Sequence, residues 1–187
     1  MKMYHQLILT LFLCLLYFLP QAQPKLERVK INKYISMKAP ESFIPLGEGE
    51  LAGRFVTART PLAMYTSDDL TMELGINATS NLWPEGDLEI IQSFYKASIA
   101  NLFTEVNFIQ EDIREIDGRK FIAFEFVSKV SDEGNTFGGG GTVTKYTFIQ
   151  YTIVDERVLL FNFTCPSRKR QEWQPIAREI MASIKIK

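Results

Sequence analysis

Residues 119–130 read Arg119-Lys120-Phe121-Ile122-Ala123-Phe124-Glu125-Phe126-Val127-Ser128-Lys129-Val130, and their reading decides the fold. Aromatic and β-branched residues dominate, which favours a strand. On a strand, Ile122, Phe124 and Phe126 share one face, while Phe121, Ala123 and Val127 share the other. A strand with one wet side would carry a polar face. This one is apolar on both sides, so it is placed centrally in a sheet covered by two layers. Asp117-Gly118 precedes it, and a type I′ hairpin needs the positive φ that glycine adopts at little cost. That turn joins a strand over residues 108–116 to the strand over 119–130.

Downstream, residues 131–141 read as a loop holding Gly138-Gly139-Gly140-Gly141. A phosphate-cradling loop needs Gly-Lys-Ser/Thr leading into a helix. Here Thr142-Val143-Thr144 leads into a strand, so the glycines read as a plain hairpin loop. Residues 142–154 and 157–165 form a second hairpin, turning at Asp155-Glu156. The closing helix is predicted over residues 173–184. Trp173, Ile176, Ala177, Ile180, Met181 and Ile184 line its apolar stripe, with Pro175 in the first turn.

Upstream, Leu70, Met72, Leu74, Ile76 and Ala78 alternate with polar neighbours and predict a strand over 70–78. Asp87 is suited to cap a helix over 88–103. Leu88, Ile91, Tyr95, Ile99 and Leu102 recur there at helical spacing, with Phe94 and Phe103 widening the stripe. Residues 62–66 predict a short strand. Val29, Ile31, Ile35 and Met37 predict a first strand, ended by Ala39-Pro40. The order is strands, a helix, four antiparallel strands and a terminal helix. It predicts an α+β sandwich with a mostly antiparallel sheet of about five to seven strands and at least two flanking helices.

The first 22 residues stand apart. Lys2, an apolar run from Leu7 to Leu19, and Pro20 before Gln21-Ala22-Gln23 have the layout of a secretory signal peptide. The run of roughly 13 residues is short of the about 20 that a membrane span needs, although retention as an anchor stays open. Cys14 follows Leu13 rather than a small residue, which argues against a lipoprotein. Cleavage after Ala22 leaves a single domain over residues 23–187 in an exported, periplasmic or extracellular, protein. It also removes His5, the chain's single histidine, and Cys14, so that Cys165 is the lone thiol.

Those losses narrow the chemistry. Without imidazole, Ser–His–Asp and Cys–His catalysis and His-containing zinc sites are excluded, and no metal or cofactor is expected. The mature chain loses only Lys2 among its charges, leaving one fewer than the 21 basic residues against 22 acidic. That balance argues against nucleic acid as a partner. The run Arg168-Lys169-Arg170 reads as a solvated face. Cys165 follows Phe161 and Phe163 on an alternating strand and reads as a buried apolar group. The adjacent acids Asp68-Asp69, Glu111-Asp112 and Asp155-Glu156 point to opposite strand faces or sit in turns. Glu125, amid an apolar strand, requires a partner if buried. Asn77-Ala78-Thr79 and Asn162-Phe163-Thr164 match the glycosylation sequon, but both fall on predicted strands and are read as chance.

Several of these segments together resemble the PsbP/Mog1/DcrB-like α/β/α sandwich superfamily. They are Met37-Lys38-Ala39-Pro40-Glu41-Ser42-Phe43, the helix after the first sheet section, and the hairpin Ile116-Asp117-Gly118-Arg119-Lys120-Phe121. The strands over 146–154 and 157–163 and the closing segment from Trp173-Gln174-Pro175-Ile176 to Ser183-Ile184-Lys185 complete the set. The resemblance spans residues 29–187 and includes no catalytic motif. It implies a usually non-catalytic scaffold, whose members serve as photosystem accessory subunits, as a small-GTPase binder and as exported bacterial proteins. Metal sites in some plant members involve histidines that the mature chain lacks.

The expected function is an exported accessory domain that docks a protein partner or a small apolar ligand, with no stable membrane insertion after cleavage. Trp83, before Pro84, and Phe137, beside the glycine loop, fall in predicted loops and form the candidate contact surface. The alternative for each is a plug in the core. The competing function is a small hydrolase using carboxylates or a Ser/Lys-type nucleophile, which demands a pocket with convergent acids or a Ser–Lys pair.

Overall fold

A computed structural model describes residues 23–47, 49–51, 60–84, 86–131 and 142–187. The segment read as a signal peptide, the glycine loop and Phe137 therefore lie outside the described residues. In chain order the elements are β1 (Leu26–Lys30), β2 (Ile35–Pro40), β3 (Ile44–Pro45), β4 (Ala63–Thr66), β5 (Glu73–Leu82), α1 (Leu88–Leu102), β6 (Glu105–Ile116), β7 (Arg119–Ser131), β8 (Thr142–Val154), β9 (Arg157–Pro166), a 3-10 turn (Ser167–Lys169), α2 (Arg170–Ala182) and β10 (Lys185–Ile186). Seven strands pair in the order β3-β4-β5-β9-β8-β7-β6, and three more in the order β1-β2-β10. Every pairing is antiparallel.

The two-faced reading of residues 119–130 holds. Ile122, Phe124 and Phe126 pack into a core shared with Ile91, Tyr95 and Ile99 of α1. Phe121 and Ala123 pack into a second core with the stripe of α2, from Trp173 to Ile184, and with Ile35, Met37 and Ala39 of β2. The sheet is thus sandwiched between α1 and a layer made of α2 and the small sheet. Each fully buried aromatic contributes about 1.5–3 kcal/mol through apolar burial. β7 is nevertheless not central: it is second from the edge, beside β6. Its two apolar faces reflect the covering layers, which reach that far across the sheet.

Both long hairpins turn as read. Asp117 and Gly118 have φ of 52° and 78°, the I′ signature. Asp155 and Glu156 make the same kind of turn with φ of 50° and 61° and no glycine. A close approach fixes one further glycine. A Cβ on Gly75 would lie 2.6 Å from Asn162 Oδ1 on the neighbouring strand, β9.

Other boundaries differ from the sequence reading, each for a local reason. The single first strand is a hairpin, because Asn32 Oδ1 accepts from the backbone N–H of Tyr34 and Ile35, both at 2.8 Å, and bends the chain between Lys30 and Ile35. β5 begins at Glu73. Leu70 is exposed at φ 56°, held in a turn where Asp69 Oδ1 accepts from the Ser67 hydroxyl at 2.6 Å and from the Thr71 hydroxyl at 2.8 Å. Asp87 sits at the α1 N-cap but its side chain makes no capping bond. Leu102 is exposed at the other end of that helix. α2 starts at Arg170, so Pro175 falls in its second turn, not its first.

Candidate contact surface and buried polar cluster

β5 ends at Leu82, and the chain is tied to the β8–β9 turn by Trp83 N–H donating to Glu156 O at 2.8 Å. This tether sets the indole against α1. The Trp83 and Phe94 rings lie 5.5 Å apart at 53°, and Phe94 meets Tyr95 edge-on at 5.2 Å. Tyr95 in turn stacks on Tyr151 of the sheet at 4.0 Å. Trp83 is half-buried, so it is partly the plug that the alternative reading described. Its Nε1 is buried with no acceptor among the described residues. Beside it, Ile90 and Phe94 of α1 remain 61% and 44% exposed, whereas Leu82, 64% exposed, pairs with Arg157 and so faces the other side of the sheet. Single exposed apolar residues are ordinary, but here two share one face of α1 beside the indole. Ile90 is a residue the sequence reading missed. The signal was present, since Ile90 and Phe94 are four apart and therefore share a helical face beside the buried stripe.

Several of the residues weighed for catalysis have structural partners. Glu125, on the α2 side of β7, is 1% exposed. Arg178 Nε donates to its Oε2 at 3.0 Å, and Arg178 Nη2 and Gln174 Nε2 donate to its Oε1. Both donors belong to α2. Nearby, burial and then the Glu125 charge push the Tyr146 phenol far above its usual range. Burial also pushes the Cys165 thiol, opposite Tyr146 on β9, up to about 12. A thiol that protonated is no nucleophile. Gln150 is fully buried, with both amide atoms unpartnered among the described residues.

Glu111 and Asp112 separate to opposite faces as expected. Glu111 meets Lys96 of α1 at 2.7 Å, whereas Asp112 meets Arg114 at 2.7 Å. The Arg114 guanidinium lies over Phe148 on the α2 side. Asp69 serves its own turn and Lys169, at 3.5 Å. Hydrogen bonds from the Ser67 and Thr71 hydroxyls and the Thr71 backbone hold its carboxyl well below the usual range. Among the described residues, no group of three or more His, Cys, Asp or Glu is placed to hold a metal ion. No helix among them is long and apolar enough to cross a membrane.

Comparison with solved structures identifies the fold. The cyanobacterial PsbP (CyanoP) of Synechocystis is similar with a TM-score of 0.60 and 10% identity, covering 90% of this chain and 96% of that one. The Ran-binding protein Mog1p of Saccharomyces cerevisiae is similar at 0.56 and 11% identity, covering 88% and 96%. LpqN of Mycobacterium tuberculosis, involved in cell envelope biogenesis, is similar at 0.53 and 13% identity, covering 88% and 92%. The chain is thus an α+β sandwich with the PsbP/Mog1-like fold. No family profile matches the sequence, and no curated protein matches it.

Proposed function

We propose that the protein is an exported, non-catalytic accessory domain of the bacterial envelope that docks a protein partner through the surface formed by Trp83, Ile90 and Phe94. The observation that carries this reading is that surface: an aromatic pair anchored to the core with Ile90 exposed beside it. Aromatic anchors of this kind are enriched where protein interfaces concentrate their energy. The leader-like first 22 residues support export. Relatives in fold include a Ran-binding protein and a protein of envelope biogenesis, which supports an accessory role. Glu125, Asp69, Glu111 and Asp112 are committed to structural contacts, which weakens the hydrolase reading.

Site-specific photo-cross-linking in the producing cell tests the proposal. A photoreactive residue at Ile90 or Phe94 should yield a discrete adduct with one protein. The same group at Lys30, exposed on β1 in the opposite layer, should not. Identical adduct patterns from all three positions would sink the reading.

A further inference from the structure

A cleft on another part of the molecule has the make-up of a small-molecule site. It opens at the seam where the β1–β2 turn and β10 of the small sheet meet the ends of β5, β8 and β9 of the large one. Its volume is about 460 Å³, within the range of ligand pockets. At about 30 Å³ per water-sized group, it has room for roughly 15 non-hydrogen atoms.

Its walls are apolar. Ile35 and Leu159 form buried parts of the lining, with Ala78 and Ile186 beside them. Tyr34 and Leu62 stand at the rim, 54% and 42% exposed, and neither belongs to the cores of the two layers. Lys33 Nζ sits 4.7 Å from the Tyr34 ring centre. The charged rim residues are Asp155, Arg157 and Lys187. Asp155 offsets one of these cations, and with Lys33 beside Tyr34 the rim keeps a positive excess, within which the Arg157 guanidinium is exposed. Among the described residues it has no carboxylate within 4.0 Å. A guanidinium is a fork that matches a carboxylate through two parallel hydrogen bonds.

We infer that this cleft binds an amphipathic monoanion, a medium-chain carboxylate, with its hydrocarbon body between Tyr34, Leu62 and Leu159 and its head group on Arg157. A carboxylate with a ten-carbon chain has 12 non-hydrogen atoms by formula, which fits the space. This site is distinct from the Trp83–Phe94 surface, and the proposal stands without the docking reading.

The probe is decanoate, titrated well below its micelle concentration and followed by NMR chemical shifts and calorimetry. Saturable shifts are expected at Tyr34, Leu62 and Leu159. Arg157→Gln should weaken decanoate binding at least tenfold while leaving binding of the neutral analogue decanol unchanged. Leu62→Glu should abolish binding of both, with circular dichroism verifying that each variant folds. Phe94→Glu should bind decanoate like the parent, separating the cleft from the exposed surface on α1. No saturable shift in the parent, or equal decanoate affinity in the parent and Arg157→Gln, would overturn the assignment.

Discussion

With 1% of its surface exposed, Glu125 must find its hydrogen bonds inside the protein, and the side chains that supply them are Arg178 and Gln174 of α2. Taking one partner away leaves a buried carboxylate underbonded. Arg178 is 48% exposed on its own side, so water replaces part of the loss. Arg178→Met should therefore destabilise the fold by about 2 kcal/mol, below the range for a fully buried pair. Adding Glu125→Leu should recover most of that loss, because it removes the stranded charge. Urea unfolding of the parent, the single and the double variant measures this. A double variant as unstable as the single one would refute it. The sequence showed that Glu125 needed a partner but could not name one, since Arg178 lies 53 positions away and their meeting depends on how α2 is laid on the sheet.

Turns decided which elements were legible. Asp117-Gly118 announces itself through glycine, whereas the turn that splits β1 from β2 rests on one Asn32 side chain within a stretch that still alternates like a strand. The same hidden chemistry moved the start of β5, where Leu70 sits in the strained region that a bulky side chain resists. The β8–β9 turn holds Asp155 and Glu156 at positive φ without glycine. Asp tolerates that region better than Glu does. Glu156→Gly should stabilise the protein by about 1 kcal/mol and raise Tm by about 2–4 °C. The Trp83 N–H bond to the carbonyl of residue 156 would remain. A lower Tm in differential scanning calorimetry would show that the Glu156 side chain makes a contribution the backbone argument misses.

For the molecule as a whole, the two-layer covering of the sheet was written in periodicity and survived intact. The candidate contact surface was not, because it joins Trp83, just past the end of β5, to a face of α1 and exists only once the two are packed. Stability against pH is also a property of the whole. Asp69 is held below its unfolded value, so its contribution is present above about pH 3.9 and is lost as the pH falls from there. Cys165, raised to about 12 by burial, and the buried phenols of Tyr146 and Tyr151 behave in the opposite sense. Their contribution is complete below about pH 8.5, where the unfolded thiol begins to ionise, and fades as the pH rises toward 12. Tm followed by circular dichroism should show a plateau with shoulders near those two values. An unchanged Tm up to pH 11 would contradict the alkaline side. The sandwich also carries its two tryptophans on opposite sides of the sheet. Trp173 is stacked on Phe163 and sealed beneath α2, while Trp83 stands half-open beside α1. Light absorbed by the chain should thus return in two colours, a blue emission shielded from acrylamide and a redder one more accessible to it. The protein reports from each of its sides without a label.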